Sequence, residues 1–304
     1  MNDPHAEIER QKKFLSSRGV RARIYLSEEG ISGQLSALKE EAQEYLEWIR
    51  ERFSSLGEIS FKVEEHHEHV FPRLTIKYRP HLVALGANCD LSARAPTLTA
   101  GQWKSMLADH RKEIVLLDVR NTYETAVGYF QGAHRPSCHY FRQFPEYITS
   151  LNLSREQRIL LYCTGGIRCE FLSAWMREQG YTDLYQLEGG ILQYGLEEGG
   201  GEPWLGKLFV FDDRLTTSLP AESAEIVGRC VVCEKKCENY YNCVNLACNE
   251  LFISCRQCLE KREGCCSQSC RFAKRKRPLE HQTGKPFRRW HTYNQRDSGE
   301  VSHG

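Results

Sequence analysis

The stretch LLYCTGGIRCEFLSAWMREQG, residues 160–180, holds Cys163 behind an apolar run, Arg168 five positions on, and Cys169 beside that arginine. Thr164, Gly165, Gly166 and Ile167 complete a loop of six residues from Cys163 to Arg168. Paired glycines let successive backbone N–H groups face one point, and a helix read as beginning near Cys169 adds the positive end of its dipole. A thiol in such a cup is expected to ionise readily and to act as a nucleophile. Arg168 is expected to pair with an anion bound there. Asp118 and Arg120 end a neighbouring predicted strand and either brace the cup by ion pairing or form a structural salt bridge.

A second group of sulfurs is denser. Ten of the fourteen cysteines fall between Cys230 and Cys270: Cys230, Cys233, Cys237, Cys243, Cys248, Cys255, Cys258, Cys265, Cys266 and Cys270. Two C-x2-C elements, Cys230-x2-Cys233 and Cys255-x2-Cys258, are spaced so that four thiolates can share one tetrahedral ion. Ten thiols suffice for two four-ligand zinc ions with two to spare, or for one ion plus structural or redox thiols. Zinc held by four thiolates has no position left for substrate, so its role is expected to be structural.

The charge balance is near zero overall, at +1, but uneven. From 271 to 289 eight cations (Arg271, Lys274, Arg275, Lys276, Arg277, Lys285, Arg288, Arg289) face one acid, Glu280, leaving about −6 elsewhere. Phe272, Phe287 and Trp290 lie among these cations. Cations with interleaved rings suit phosphates and unpaired bases, so RNA contact is expected here. His66, His67 and His69 in EEHHEH allow a two-histidine, one-carboxylate iron site, but adjacent histidines beyond a strand more often form a solvated loop.

The elements that must position these groups follow from periodicity. Over residues 1–90, a helix in PHAEIERQKKFLSSRG precedes strands VRARIYL and GISGQLS, a helix LKEEAQEYLEWIRERF, and strands EISFKVEE (58–65) and RLTIKYR. This order predicts a ferredoxin-like α/β sandwich without its opening strand. Over 95–205, short apolar runs EIVLLDVR, RILLYCT and DLYQLEGGI alternate with helical patterns. That alternation predicts a parallel sheet flanked by helices, with ligands at the carboxyl ends of strands, where Cys163 stands. The cysteine-rich zinc-binding region spans 206–275, and a basic tail, expected to be disordered, runs over 276–304. Neither a bilayer-spanning apolar stretch nor a signal-peptide pattern is present, so the chain is expected in the cytoplasm. In that compartment clustered cysteines point to metal rather than disulfides.

DVRNTYETAVGYFQGAH (118–134), YCTGGIRCE (162–170) and LEGGI (188–192) resemble a rhodanese domain. The resemblance implies a loop cysteine, Cys163, able to carry a persulfide. Its six-residue loop matches sulfurtransferases, whereas related phosphatases have seven residues. Cys169 lies outside the general rhodanese pattern. It is either a small helix residue or the thiol that resolves an oxidised or persulfidated Cys163. From about residue 4 to 275 the whole order is similar to the rhodanese-containing tRNA uridine-34 hydroxylases, except for that family's opening strand. Membership implies oxygen-dependent conversion of the tRNA wobble uridine to 5-hydroxyuridine at Cys163. The residues do not name the electron donor. The rivals are a sulfurtransferase and a non-catalytic zinc-bearing RNA scaffold.

Overall fold

The computed structural model describes residues 3–54, 59, 61–109, 113–199, 202–219 and 225–279. Two compact units divide the chain, Met1–Cys89 and a second from Asp90 onward.

In the first unit, Asp3 caps helix α1 (Pro4–Leu15) by accepting the Ala6 N–H at 2.9 Å, and proline opens its first turn. Strands β1 (Arg21–Ser27) and β2 (Gly30–Ser36) form an antiparallel hairpin. Helix α2 (Lys39–Arg52) carries Glu40 and Glu41 in its first turn and Arg50 and Arg52 in its last, which suits its dipole. It leads to β3 (Leu74–Tyr78), parallel to β1, so the sheet order is β2-β1-β3. Leu15, Ile24, Leu26, Tyr45, Ile49 and Ile76 fill the space between helices and sheet.

One expected strand does not form. Among the described residues of 58–65, none is extended into a ladder. Alternation alone does not make a strand: in this sheet β1 pairs with β2 on one side and β3 on the other, and residues 59 and 61–65 join none of them.

The second unit begins with β4 (Thr97–Leu98), α3 (Ala100–Ala108), β5 (Ile114–Asp118), α4 (Thr122–Thr125) and β6 (Gly128–Phe130). It continues through α5 (Phe144–Ser150), β7 (Arg158–Tyr162), α6 (Ile167–Glu178), β8 (Leu184–Leu187) and α7 (Gly190–Glu198). The sheet order is β4-β8-β7-β5, with every pairing parallel, as alternation predicts. Trp103, Phe130, Leu160, Tyr162, Ile191 and Tyr194 make its core.

Short ribbons follow. Strand β9 (Trp204–Gly206) pairs with β6, β10 (Leu208–Phe209) with β11 (Thr216–Thr217), and β12 (Tyr240–Asn242) with β13 (Leu251–Ile253) ahead of α8 (Arg256–Lys261). The cysteine-rich region is not a loose appendage. Val127, Phe209, Cys230, Tyr240 and Ile253 share one core, and the Tyr240 hydroxyl donates to the Tyr123 carbonyl.

Candidate active site and cysteine clusters

Cys163 directly follows β7 and is completely buried. The loop that turns it toward α6 uses its two glycines differently. Gly166 has φ +100°, which glycine adopts without strain, and it caps α6 at Ile167, two positions before the start read from sequence. Gly165 has no positive φ, and a Cβ there would touch nothing within 4 Å. The glycine the cup most needs is Gly190. Its φ is +67°, and a Cβ would fall 2.5 Å from the Cys163 carbonyl oxygen and 2.7 Å from that of Thr164. The N–H groups of Ile191 and Leu192 donate to those two carbonyls at 3.0 Å each, so the start of α7 clamps the loop.

The Gly166 N–H donates to Cys163 Sγ at 3.1 Å. Burial alone would raise the Cys163 pKa. Hydrogen bonds from the Cys169 thiol and from the Cys169 and Gly166 amides, with the Arg168 charge, outweigh burial and lower the pKa to about 6. Cys169, also fully buried, moves the other way: burial, its hydrogen bond to Cys163 and the Cys163 charge push it well above the ordinary thiol value. The pair is therefore split into one thiolate and one thiol donor.

Arg168 does not stand open for an anion, contrary to the sequence expectation. Glu124 takes both of its terminal nitrogens, at 2.6 and 2.7 Å, and Thr164 Oγ1 accepts from it at 3.2 Å. Thr164 Oγ1 donates in turn to Glu124 Oε1 at 3.0 Å. Burial would raise the Glu124 pKa, but the Arg168 charge and hydrogen bonds, with Arg120, bring it below the usual carboxylate range. Asp118 and Arg120 pair with each other at 2.9 and 2.5 Å and are both fully buried. Arg120 also donates to the carbonyls of Gly128 (2.7 Å) and Glu124 (3.5 Å), so this pair holds the α4 segment that carries Glu124. Sequence reasoning missed Glu124. Its signal was the Asn121-x-x-Glu124 spacing, in which Glu124 Oε2 accepts the Asn121 N–H at 3.0 Å as the third residue of a capping box does.

The cysteine-rich region gathers two quartets, Cys230, Cys233, Cys255 and Cys258, and Cys243, Cys248, Cys266 and Cys270, each with all Sγ atoms within 4.8 Å of one another. Cys233–Cys255, Cys248–Cys266 and Cys266–Cys270 are 3.7, 3.6 and 3.9 Å apart. Disulfide sulfurs lie near 2 Å, whereas thiolates about 2.3 Å from one tetrahedral ion lie about 3.8 Å from each other. The quartets therefore have the spacing of metal ligands. Cys237 and Cys265 belong to neither quartet; their side chains are packed in the adjoining cores instead.

Among the described residues His66, His67 and His69 join no ligand group: His66 and His67 are exposed, and His69 Nδ1 is 3.1 Å from Ser36 Oγ. Of the basic residues, Lys274, Arg275 and Lys276 are exposed, while Arg271 and Lys276 engage Glu263 at 2.6 and 3.4 Å. Arg277, expected to face RNA, is buried and donates to Asn249. Arg288 and Arg289 lie outside the described residues, as does most of the tail expected to be disordered. No helix among the described residues is long and apolar enough to cross a membrane.

Three family models match in series: "UPF0176 acylphosphatase like domain" over 1–82, "Rhodanese-like domain" over 99–197 and "Rhodanase C-terminal" over 205–271. A solved rhodanese-like domain protein from Staphylococcus aureus is similar over 36% of this chain and 95% of its own, at 24% identity and a TM-score of 0.30. A tRNA uridine(34) hydroxylase of Protochlamydia amoebophila is 47% identical over 96% of this chain and 91% of its own. One of Chlamydia pneumoniae is 41% identical over 96% and 90% respectively. Such identity along nearly the full length of both partners shows that the chain belongs to the tRNA uridine(34) hydroxylase family.

Proposed function

We propose that this protein hydroxylates the wobble uridine of tRNA at C5, using dioxygen, in the cytoplasm, with Cys163 as its reactive group. The observation that carries the reading is the match over 96% of the chain to relatives named for that activity, in a protein whose Cys163 is held as a thiolate. One oxygen atom ends as the 5-hydroxyl and the other as water. The two electrons and two protons come from a thiol reductant that leaves as a disulfide. Cys163 takes part as thiolate or as the persulfide formed on it. Arg168, held by Glu124, keeps positive charge beside it, and Cys169 donates to it and is the thiol in reach to resolve it.

Both quartets are assigned to structural zinc, since a closed four-thiolate set leaves no open position. The division into an α/β sandwich over 1–90, a rhodanese domain over 95–205, a zinc region over 206–275 and a basic tail over 276–304 is part of the same proposal. The exposed Lys274, Arg275 and Lys276, with the tail's Arg288 and Arg289, are assigned to RNA phosphates.

The test is mass spectrometry of tRNA nucleosides from cells lacking the gene, complemented with wild type or Cys163→Ser. Wild type is expected to restore 5-hydroxyuridine, and the variant to yield at least about a hundredfold less. Equal levels from both would remove Cys163 from the reaction.

The six-residue loop favours one second reading, a sulfurtransferase. There Cys163 takes the outer sulfur of thiosulfate, releasing sulfite, and yields thiocyanate to cyanide. Thiocyanate release with unchanged 5-hydroxyuridine would select it.

A further inference from the structure

Residues 134–143, HRPSCHYFRQ, hold two arginines and two histidines and no acid. Their side chains divide cleanly. Pro136, Cys138 and Phe141 are buried, whereas His134, Arg135, His139, Tyr140 and Arg142 are exposed. The backbone is tied down: Thr122 donates to the Cys138 carbonyl through its N–H (2.8 Å) and hydroxyl (2.9 Å), and Gln143 Oε1 accepts the His139 and Tyr140 N–H groups at 2.9 Å each. A segment so held presents cations and rings outward, and it is tied to Thr122, two residues before the Glu124 that holds Arg168.

Tyr140 is 59% exposed, large for an aromatic side chain, and the Arg142 guanidinium lies 4.7 Å from its ring centre. Arg135 covers Tyr129 in the same way at 4.2 Å. Tyr129 opens on a cleft of about 770 Å³ within the second unit, lined also by Tyr123, Arg135, His139, Arg229 and Lys236, with Tyr140 next in the chain to His139. Its acids are Glu225, which Lys236 engages, and Glu250.

We propose that this segment and cleft bind unpaired nucleotides flanking the base presented to Cys163, the bases stacking on Tyr140 and Tyr129 and the phosphates meeting Arg135 and Arg142. Aromatic rings with guanidinium groups lying over them are the sequence-tolerant equipment for single-stranded RNA. An anticodon loop offers such nucleotides on both sides of its wobble base. The inference rests on the tRNA reading above and adds a docking surface distinct from the basic tail.

The test measures hydroxylation of tRNA by the full-length protein as wild type, Tyr140→Ala, Tyr140→Phe and Arg142→Gln. Tyr140→Ala is expected to raise KM for tRNA about tenfold, or about 1.4 kcal/mol, more than it lowers kcat. Tyr140→Phe, which keeps the ring, is expected to restore KM. Arg142→Gln is expected to reduce the slope of log KM against log salt by about one. Alkylation of Cys163 by iodoacetamide at wild-type rate shows that the cup is intact in each variant. Should Tyr140→Ala leave KM unchanged while wild type hydroxylates tRNA, the docking surface is wrong. Should wild type bind a 2-aminopurine-labelled single-stranded oligoribonucleotide through Tyr140 yet never hydroxylate tRNA, the surface stands and the reaction assignment falls. Binding of an acidic peptide at these residues with no RNA binding would overturn the nucleotide assignment.

Discussion

Cys163 and the quartet of Cys230, Cys233, Cys255 and Cys258 belong to one compact unit, yet they stabilise thiolate in opposite ways. In the cup a single sulfur is surrounded by amide N–H groups, one thiol donor and a guanidinium that Glu124 holds from its other side. In the quartet four sulfurs stand about a tetrahedral edge apart, an arrangement whose mutual repulsion only a shared cation relieves. Directional hydrogen bonds leave a lone pair available for chemistry; coordination uses it up. The comparison separates reactive from structural sulfur by its neighbours, without recourse to spacing in the chain.

The largest expected effect falls on the metal side. Cys255→Ser removes one ligand from the first quartet, and metal analysis should find one zinc ion per chain in place of two. Because metal affinity is folding free energy in a region with so small a core, the loss is expected to cost about 3 kcal/mol or more in denaturant unfolding. Two ions retained per chain with unchanged stability would erase the distinction between the two sulfur regions. Next is Glu124→Gln, which leaves the Arg168 guanidinium buried beside a neutral amide. Breaking one partner of such a pair costs about 3 kcal/mol or more, so the midpoint of denaturation should fall with metal content unchanged. A midpoint at wild-type level would mean that the pair adds nothing to the cup.

A smaller and more local effect separates two glycines. Gly190→Ala forces a Cβ into the Cys163 and Thr164 carbonyls at a positive φ and is expected to cost about 2 kcal/mol and to slow Cys163 alkylation. Gly165→Ala meets open space and should stay within about 0.5 kcal/mol of wild type. Equal losses from both would mean that the loop, not its clamp by α7, shapes the cup.

These contrasts also mark what could be read from residue order. Strand β7, the cup after it and the first quartet were legible because each is local: an apolar run, a Gly-Gly turn, two C-x2-C pairs. The members of the second quartet were not. Cys265 and Cys266 are adjacent, and only the folded path decides that Cys266 faces Cys248 and Cys270 while Cys265 turns into the core. Glu124 reads as an ordinary acid on a short helix until Arg168, more than forty residues away, closes on it. The segment 58–65 alternates as a strand should, but a strand needs a neighbour that local pattern does not supply. The misreading of Arg277 has the same origin, since its charge suggested solvent and the fold buried it against Asn249.

The subtlest expectation concerns pH. With its pKa lowered from 9.0 to about 6, Cys163 should react with iodoacetamide at a rate half-maximal near pH 6 and level well before pH 9. Cys169→Ala removes one hydrogen bond to the thiolate, and Arg168 remains, so the midpoint should move upward by a fraction of the full shift. The same lowering has a thermodynamic sign. A folded pKa below the unfolded one adds stability that is fully present above pH 9 and is lost as pH falls through 6. The raised Cys169 titrates above that window and does not mask the effect. Relative to Cys163→Ala, wild type should therefore lose Tm on going from pH 9 to pH 6. The quartets are common to both proteins and cancel in the difference. A flat difference would mean that the cup does not favour thiolate and that Cys163 resembles the buried, inert Cys237 and Cys265 more than a nucleophile.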